Sequence, residues 1–237
     1  FLTDLFGPHV EYHPVCPEVE MGMGIPREAV RLLGDPESPR MVGIRSGEEH
    51  GAAMRRFSRQ RVRELGDLDL CGYVLKKGSP SCGMERVKVY SEEGGAPSTK
   101  GVGLFARELM KRYPLLPVEE EGRLHDPVLR ENFIERVFAY RRWKDFLADR
   151  YSVGRLVAFH TAHKFLILSH SPGHYTELGR LVARAKALGA GEARAAYGER
   201  FMEAVARRTT VRKHTNVLQH MAGFLKKDLD EESRREL

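Results

Sequence analysis

Short apolar runs alternate with helical segments in the first half of the chain. Four runs have the length and the β-branched or aromatic content of strands: residues 10–15, 41–44, 68–76 and 114–120. Apolar residues recur with helical spacing in the segments between them: 28–33, 48–65 and 101–112. Strands and helices that alternate in this way predict an α/β domain with a largely parallel sheet.

The second half of the chain has helical periodicity throughout. Its apolar residues recur with helical spacing in five segments: 128–150, 154–170, 174–188, 192–208 and 210–227. Glycine, serine and proline mark the breaks at residues 154, 171–173 and 189–191. We therefore predict two domains, the α/β domain over 1–127 and an all-α helical bundle over 128–237.

Composition places the chain among soluble globular proteins. Its 237 residues are 41% hydrophobic and 30% charged. No apolar run approaches the roughly 18 residues that a membrane span needs, and no secretory signal is visible. An odd, sparse set of three cysteines is typical of a reducing compartment, so the expected location is the cytoplasm.

Positive charge is concentrated in the helical half. Residues 1–127 hold 18 Lys and Arg against 20 Asp and Glu, a net charge of −2. Residues 128–227 hold 19 against 8, a net charge of +11, and residues 228–237 carry −3. A solvated helix surface is the ordinary explanation of such charge. The concentration over 128–227 favours a polyanionic partner.

Two of the cysteines lie in loops of small or rigid residues. Cys82 ends the stretch GSPSC after the run 68–76, and Cys16 begins CPEVEMGMG, where Glu18 is a possible general base. Ligands gather at the carboxyl ends of strands, so these cysteines, 66 residues apart, could share a metal. Two ordinary buried thiols are the alternative. Cys71, by contrast, lies inside the predicted strand 68–76 and not beyond its end.

Three segments in the first half resemble the thiouracil desulfidase family over about residues 1–122. In order, they are VCPEVEMGMGIPRE, VLKKGSPSCG and KGVGLFARELM. The resemblance implies a 4Fe–4S cluster held by three cysteines, with one iron open to the sulfur of a thiocarbonyl substrate. It assigns Cys16 and Cys82 as cluster ligands. The family's first cysteine precedes the CPE motif, so the third ligand is expected upstream of Phe1; otherwise the protein does not assemble the cluster.

Catalysis is expected from Glu18, Ser79 and Ser81. Water attacks the thiocarbonyl carbon in such a reaction, and a nearby carboxylate or hydroxyl can assist it. Glu11 is a further candidate. The Ser79 hydroxyl has an equally simple structural explanation, because a serine at this position can cap the turn.

The helical half resembles a domain that often follows the desulfidase domain, over most of 138–229. The resemblance rests on the elements W-x-x-F, F-H-x-x-H-K, S-H-S-P and N-V-L-Q-H. Proteins with both domains are implicated in removing sulfur from 4-thiouridine in tRNA, whereas the lone desulfidase domain acts on free thiouracil. The resemblance implies a tRNA desulfidase. A desulfidase of free thiouracil, or a non-catalytic RNA-binding protein with a decayed cluster site, are the alternatives.

Basic residues near aromatic ones mark the predicted RNA-binding surface. It consists of Arg141, Arg142, Lys144, His160, His163, Lys164, Arg208, Arg212 and Lys213. Core packing is the alternative role for Trp143 and Phe146. Hydrogen bonding between helices is the alternative for the histidines, and a metal site is a further one for those at 160, 163, 170 and 174.

Overall fold

The structure is a computed structural model that describes residues 2–225. The chain forms two compact units that divide between Arg130 and Glu131. The strands of the first unit are β1 (Val30–Leu33), β2 (Arg40–Gly43), β3 (Tyr73–Leu75), β4 (Val87–Tyr90), β5 (Ser98–Gly101) and β6 (Val118–Glu120). Its helices are α1 (Pro17–Glu20), α2 (Gly51–Glu64) and α3 (Leu104–Arg112). Short 3-10 or π-helical turns occur at Leu2–Phe6, Gly7–His9, Leu65–Leu68 and Arg123–His125.

The sheet of the first unit is mixed, so the prediction of a largely parallel sheet is wrong. Its strand order is β2-β1-β4-β5, with β1 parallel to β4 and both outer pairs antiparallel. The connections 34–39 and 91–97 are too short for the crossover that a parallel pair needs, so each closes a hairpin. Strands β3 and β6 form a separate parallel pair.

Two N-terminal segments differ from their predicted structure. Residues 10–15 form no strand, and Pro14 among them has no N–H for a strand ladder. Residues 28–33 contain β1 instead of a short helix. Leu32 pairs with Met41 on one side and Val89 on the other, and it is fully buried. Pairing on both sides outweighs the helical preference of the Glu, Ala, Arg and Leu residues in this short segment.

Only the end of the predicted strand 68–76 pairs, as β3. Asp69 adopts a left-handed conformation with φ of 51° at the end of the preceding 3-10 turn, which excludes a continuous strand. Cys71 therefore precedes β3 and does not lie inside a strand. The helices predicted at 48–65 and 101–112 are confirmed by α2 and α3. Strands β4 and β5 were not predicted.

A small apolar core lies between the four-stranded sheet and the helices of the first unit. Its buried members are Leu32, Met41, Met54, Val87, Val89 and Leu104. The helices α2 and α3 pack against each other, and the Tyr113 hydroxyl donates to the Val62 carbonyl at 2.7 Å. The core thus fixes α2 and α3, which flank the loops described below.

The described part of the second unit is all helical, as predicted. Its helices are α4 (Pro127–Ala148), α5 (Val153–His170), α6 (Pro172–Leu188), α7 (Ala190–Ala206) and α8 (Val211–Leu225). Residues 226 and 227 of the last predicted segment lie outside the described residues. Ser152 and Ser171 cap α5 and α6 with their side chains, as the breaks in the pattern suggested. No helix within residues 2–225 is both long and apolar enough to cross a bilayer.

Trp143 forms the centre of the second core. It is 2% exposed and stacks on Phe146 and Tyr197, with ring centroids 5.0 and 5.5 Å apart. A Cβ atom added to Gly198 would lie 2.6 Å from the indole nitrogen, so only glycine lets α7 approach this closely. Trp143 and Phe146 therefore serve core packing, the alternative to base stacking that the sequence left open.

Candidate active site

Cys16 is held at the start of α1 by a chain of polar contacts. Its backbone N–H donates to Glu20 Oε1 at 3.0 Å. The other carboxylate oxygen of Glu20 accepts a hydrogen bond of 2.8 Å from Nε of Arg61 on α2. The short α1 is therefore attached to a long helix of the core, and this fixes the backbone that carries the Cys16 thiol.

The loop that carries Cys82 caps the N-terminus of α3. The backbone N–H groups of Phe105 and Ala106 donate to the Ser81 carbonyl at 2.9 and 3.1 Å. Such first-turn donors have no partner within a helix, so the loop satisfies them. A Cβ atom added to Gly103 would lie 2.4 Å from the same carbonyl oxygen. Only glycine permits this approach, and α3 thereby fixes the Cys82 loop.

The two cysteine loops meet at the carboxylate of Glu18. The Ser81 hydroxyl donates to Glu18 Oε1, and the Ser79 hydroxyl lies 2.9 Å from that of Ser81. The Cys16 sulfur lies 3.6 Å from Glu18 Oε2, and the Cys82 sulfur lies 3.5 Å from the Ser81 hydroxyl. The structure therefore brings together the two predicted metal ligands and the three main catalytic candidates, whereas none of these contacts involves the further candidate Glu11.

Arg27 was not predicted, yet its guanidinium contacts both sides of this group. Its Nη2 lies 3.8 Å from Glu18 Oε2 and 3.8 Å from the Cys16 sulfur. Glu18 is only 8% exposed, and a buried carboxylate requires a compensating charge. The sequence contains a signal for this role, because Arg27 is the one basic residue in the segment CPEVEMGMGIPRE, which also holds Cys16 and Glu18.

Burial dominates the electrostatics of the Cys82 thiol. It raises the pKa of Cys82 to about 12, and the proximity of Glu18 and Cys16 acts in the same direction. Cys82 is therefore a neutral thiol in the free protein, and a metal that binds it must displace a proton. Burial also raises the pKa of Tyr73, with further contributions from Cys82 and Glu20. Tyr73 thus belongs to the same environment, although it was not predicted.

The donor set agrees in kind with an iron–sulfur cluster. Cysteine thiolates are the protein ligands of such clusters, and Cys16 and Cys82 supply two. All three cysteines are free, but the Cys71 thiol donates to the Asp69 carbonyl at 3.6 Å. Within residues 2–225, no three His, Cys, Asp or Glu side chains are arranged to hold a metal ion. Glu11, the further catalytic candidate, is exposed, and its carboxylate lies 3.6 Å from the ring of His13.

Comparison with known proteins identifies the first unit. A family model described as 2-thiouracil desulfurase matches residues 1–121, which is more than half of the chain. The chain belongs to the 2-thiouracil desulfurase family. Residues 164–237 match a second model, described as a protein of unknown function (DUF1722).

A solved structure described as the [4Fe-4S]-dependent thiouracil desulfidase TudS is similar to this member of the desulfurase family. Its sequence is 25% identical, and the match covers 54% of this chain and 80% of that chain with a TM-score of 0.40. A search of curated proteins found no match.

The predicted RNA-binding residues of this desulfurase family member lie in different environments. Arg142, Arg208 and Arg212 are exposed. Arg141 pairs with Asp145 at 2.8 Å. The ammonium group of Lys213 donates to the carbonyls of His170 and Arg208 at 2.6 and 3.0 Å, so it holds the helix ends together. The ammonium groups of Lys144 and Lys164 lie over aromatic rings, 5.9 Å from that of Tyr140 and 4.5 Å from that of Phe224.

The four histidines each have a partner of their own. The His160 ring nitrogen lies 3.1 Å from the Tyr197 hydroxyl on a different helix. This contact agrees with hydrogen bonding between helices, one of the alternative roles given for the histidines. The other contacts are His163 with the Phe159 carbonyl, His170 with the Arg207 carbonyl, and His174 with Ser171 and Glu203. Burial lowers the pKa of His160 and of His163, which disfavours the charged rings that would attract phosphate.

Proposed function

We propose that the chain is an iron–sulfur-dependent desulfidase that removes sulfur from 4-thiouridine in tRNA and gives uridine and sulfide. The observation that carries the proposal is the convergence of Cys16 and Cys82 on the buried pair of Glu18 and Ser81. Membership of the 2-thiouracil desulfurase family supports the reaction. The basic character of residues 128–227 supports the nucleic acid. Three free thiols agree with a reducing cytoplasm.

The reaction is a hydrolysis and needs no oxidant or reductant. The oxygen of water forms a bond to the thiocarbonyl carbon, and the carbon–sulfur bond breaks. The two protons of the water leave with the sulfur as hydrogen sulfide, or one leaves as hydrosulfide and the other passes to the solvent. The site must therefore bind a soft sulfur atom, accept a proton from water and return it to the departing sulfide.

Cys16 and Cys82 would hold the cluster, and the family resemblance implies one further thiolate. When bound, the cluster supplies an iron without a protein ligand, a Lewis acid with affinity for sulfur. The buried thiol of Cys82 would lose its proton on binding. The caps on α1 and α3 fix the two backbones, so this chain offers a preorganised pair of ligands.

Glu18 would accept the proton of the attacking water. Its Oε1 already accepts the Ser81 hydroxyl, which in turn contacts the Ser79 hydroxyl, so a proton can pass from Ser79 inward. Arg27 balances the charge of the carboxylate at Oε2. Ser81 is fully buried, which limits exchange of this proton with bulk water.

The exposed arginines of the second unit would bind the tRNA backbone. Arg142, Arg208 and Arg212 carry fixed charge at the surface, whereas Lys213 and the half-buried histidines are committed to internal contacts. Guanidinium groups form bidentate hydrogen bonds with phosphate. A base that is stacked in the tRNA would also have to leave its stack to reach a buried site.

The test is anaerobic reconstitution of the full-length protein with iron and sulfide, followed by incubation with tRNA that contains 4-thiouridine. We expect the near-ultraviolet absorbance of the thiocarbonyl to decline and sulfide to appear in equal amount. Substitution of Arg142, Arg208 and Arg212 by Gln should raise KM for tRNA and leave turnover of free 2-thiouracil unchanged. A loaded cluster with no release of sulfide from tRNA would contradict the proposal.

A desulfidase of free thiouracil is the second candidate, because the matching family is described by that substrate. It predicts turnover of 2-thiouracil that is indifferent to added tRNA. The same assay separates the two: competition by unmodified tRNA inhibits only an enzyme whose substrate is tRNA.

A further inference from the structure

Helix α2 contains five arginines, of which only two contact other parts of the described chain through their guanidinium groups. Five arginines occur between positions 55 and 63. Arg55 donates to the Pro39 carbonyl, and Arg61 pairs with Glu20. The remaining three, Arg56, Arg59 and Arg63, are exposed and have no hydrogen bond or ion pair with any side chain among residues 2–225. We refer to these three residues as the arginine row.

The arginine row occupies one face of the helix. Spacings of three and four residues place side chains above one another on a helix, and seven residues extend about 10 Å along its axis. The opposite face is buried in the core through Met54 and Val62. The row therefore places three guanidinium groups in a line along the exposed face of the helix.

The charge of the row stands out against the rest of its unit. Residues 1–127 carry a net charge of −2, so the unit as a whole does not attract a polyanion. Three adjacent unpaired guanidinium groups repel one another, and a ligand with several negative charges would relieve that repulsion. The planar fork of arginine matches phosphate in particular.

The composition of the exposed face favours RNA over a lipid surface. A helix that lies on a membrane inserts Leu, Phe or Trp beside its basic residues. The exposed neighbours of the row on α2 are Ala52, Gln60 and Glu64, none of them a large apolar residue. The face thus offers charge and hydrogen bonds without an apolar anchor, which suits a phosphate backbone.

We infer that the arginine row binds the phosphate backbone of the RNA substrate, on the desulfurase unit itself. The inference rests on the proposed function and adds a second RNA contact to the arginines of the helical unit. Arg61 of the same helix holds Glu20, which accepts the backbone N–H of Cys16. A phosphate bound at the row is thereby held on the element that supports one cluster ligand.

The test compares R56Q/R59Q/R63Q with the matched variant K88Q/K100Q/K111Q, which removes three exposed charges elsewhere on the same unit. Affinity of the full-length protein for unmodified tRNA is measured over a range of salt concentrations. We expect the row variant to bind about tenfold more weakly, with a slope of log K against log salt smaller by about two. The matched variant should change both much less, and both should turn over free 2-thiouracil like wild type.

Unchanged affinity and slope in the row variant, with wild type binding tRNA, would overturn the inference and leave the proposed function intact. Absence of tRNA binding by wild type would overturn both. Binding that depends on the row without sulfide release would contradict only the proposed function. Polyglutamate that competes as well as tRNA at equal charge would point to an acidic protein and overturn the inference. If the triple variant loses helix content, R59Q alone should still lower the slope by about one.

Discussion

Ser81 and Glu18 lie 63 positions apart in the chain, and the hydroxyl of the first donates to the carboxylate of the second in the protein interior. They are 0% and 8% exposed. Ser81 lies in the loop that carries Cys82, and Glu18 lies in the short helix α1 that follows Cys16, so this hydrogen bond joins the halves of the site. Its loss would affect both the energy of a buried carboxylate and the positions of two thiols.

Substitution of Ser81 by Ala should therefore be costly. It leaves the buried carboxylate of Glu18 without a donor on Oε1, and an unsatisfied buried group typically costs about 1–3 kcal/mol. Urea denaturation should show this loss in the free energy of unfolding of the first unit. Ser38→Ala, at an exposed position whose hydroxyl has no hydrogen bond within residues 2–225, is the control and should change stability by less than about 0.5 kcal/mol. Equal effects of the two substitutions would contradict the role given to Ser81.

Metal binding should distinguish the three cysteines. Cys16→Ala or Cys82→Ala should abolish the visible absorbance and lower the iron content of the reconstituted protein, because each removes a thiolate from the site. Cys71→Ala is the control, since its thiol contacts only the Asp69 carbonyl among the contacts described. The measurement is iron per chain after anaerobic reconstitution. Loss of iron in Cys71→Ala would show that the ligand set differs from the one assigned.

Gly103 offers a test of how far the Cys82 loop depends on α3. Its φ of −60° suits alanine, but the new Cβ would lie 2.4 Å from the Ser81 carbonyl oxygen. Gly103→Ala should displace the loop and lower both stability and iron content. Gly191→Ala, where no atom lies within 4 Å of the added Cβ, should leave both unchanged or raise stability by up to about 1 kcal/mol. Normal iron content in Gly103→Ala would show that the loop can shift without loss of the site.

Helices and chemical motifs were predictable from this sequence, and sheet pairing was not. Helical spacing is a local property, so α2 and the helices of the second unit are visible in the pattern of apolar residues. The sequence of the strand β1 predicts a short helix, because the burial of β1 comes from partner strands on both sides and not from a pattern within its own residues.

The residues of the candidate active site also separate into those that a local motif predicts and those that only the fold brings into place. Cys16, Glu18 and Cys82 could be assigned from their motifs, which are short and contiguous. Arg27 and Gly103 could not, because their roles depend on atoms that only the fold brings close: the Cys16 sulfur for one, the Ser81 carbonyl for the other. The structure also separates the basic residues into exposed ones and ones with internal partners, a distinction that no charge count contains.

His170 makes the stability of the second unit depend on pH. The ring is fully buried, and its Nδ1 donates to the Arg207 carbonyl at 2.6 Å. Burial lowers the pKa of His170, and the charges of Lys213 and His214 act in the same direction. The carboxylate of Glu135 lies 3.4 Å from Nε2 of His170, and burial raises the pKa of Glu135. The contribution of Glu135 to stability therefore has the opposite pH dependence to that of His170: it is present at low pH and is lost as pH rises.

Because the pKa of His170 is lower in the folded chain, the unfolded chain binds more protons at this residue than the folded chain does once the pH falls below the ordinary histidine pKa of about 6.5. The contribution of His170 to stability is complete above that pH and is lost progressively below it, and His160 and His163 act alike. Urea unfolding should show a free energy that declines from pH 7 toward lower pH. The single tryptophan, Trp143, reports on this unit by its fluorescence. His170→Gln should flatten the decline, whereas His220→Gln, at an exposed position, should not. Identical pH dependence in His170→Gln and wild type would exclude His170 as a source of the effect.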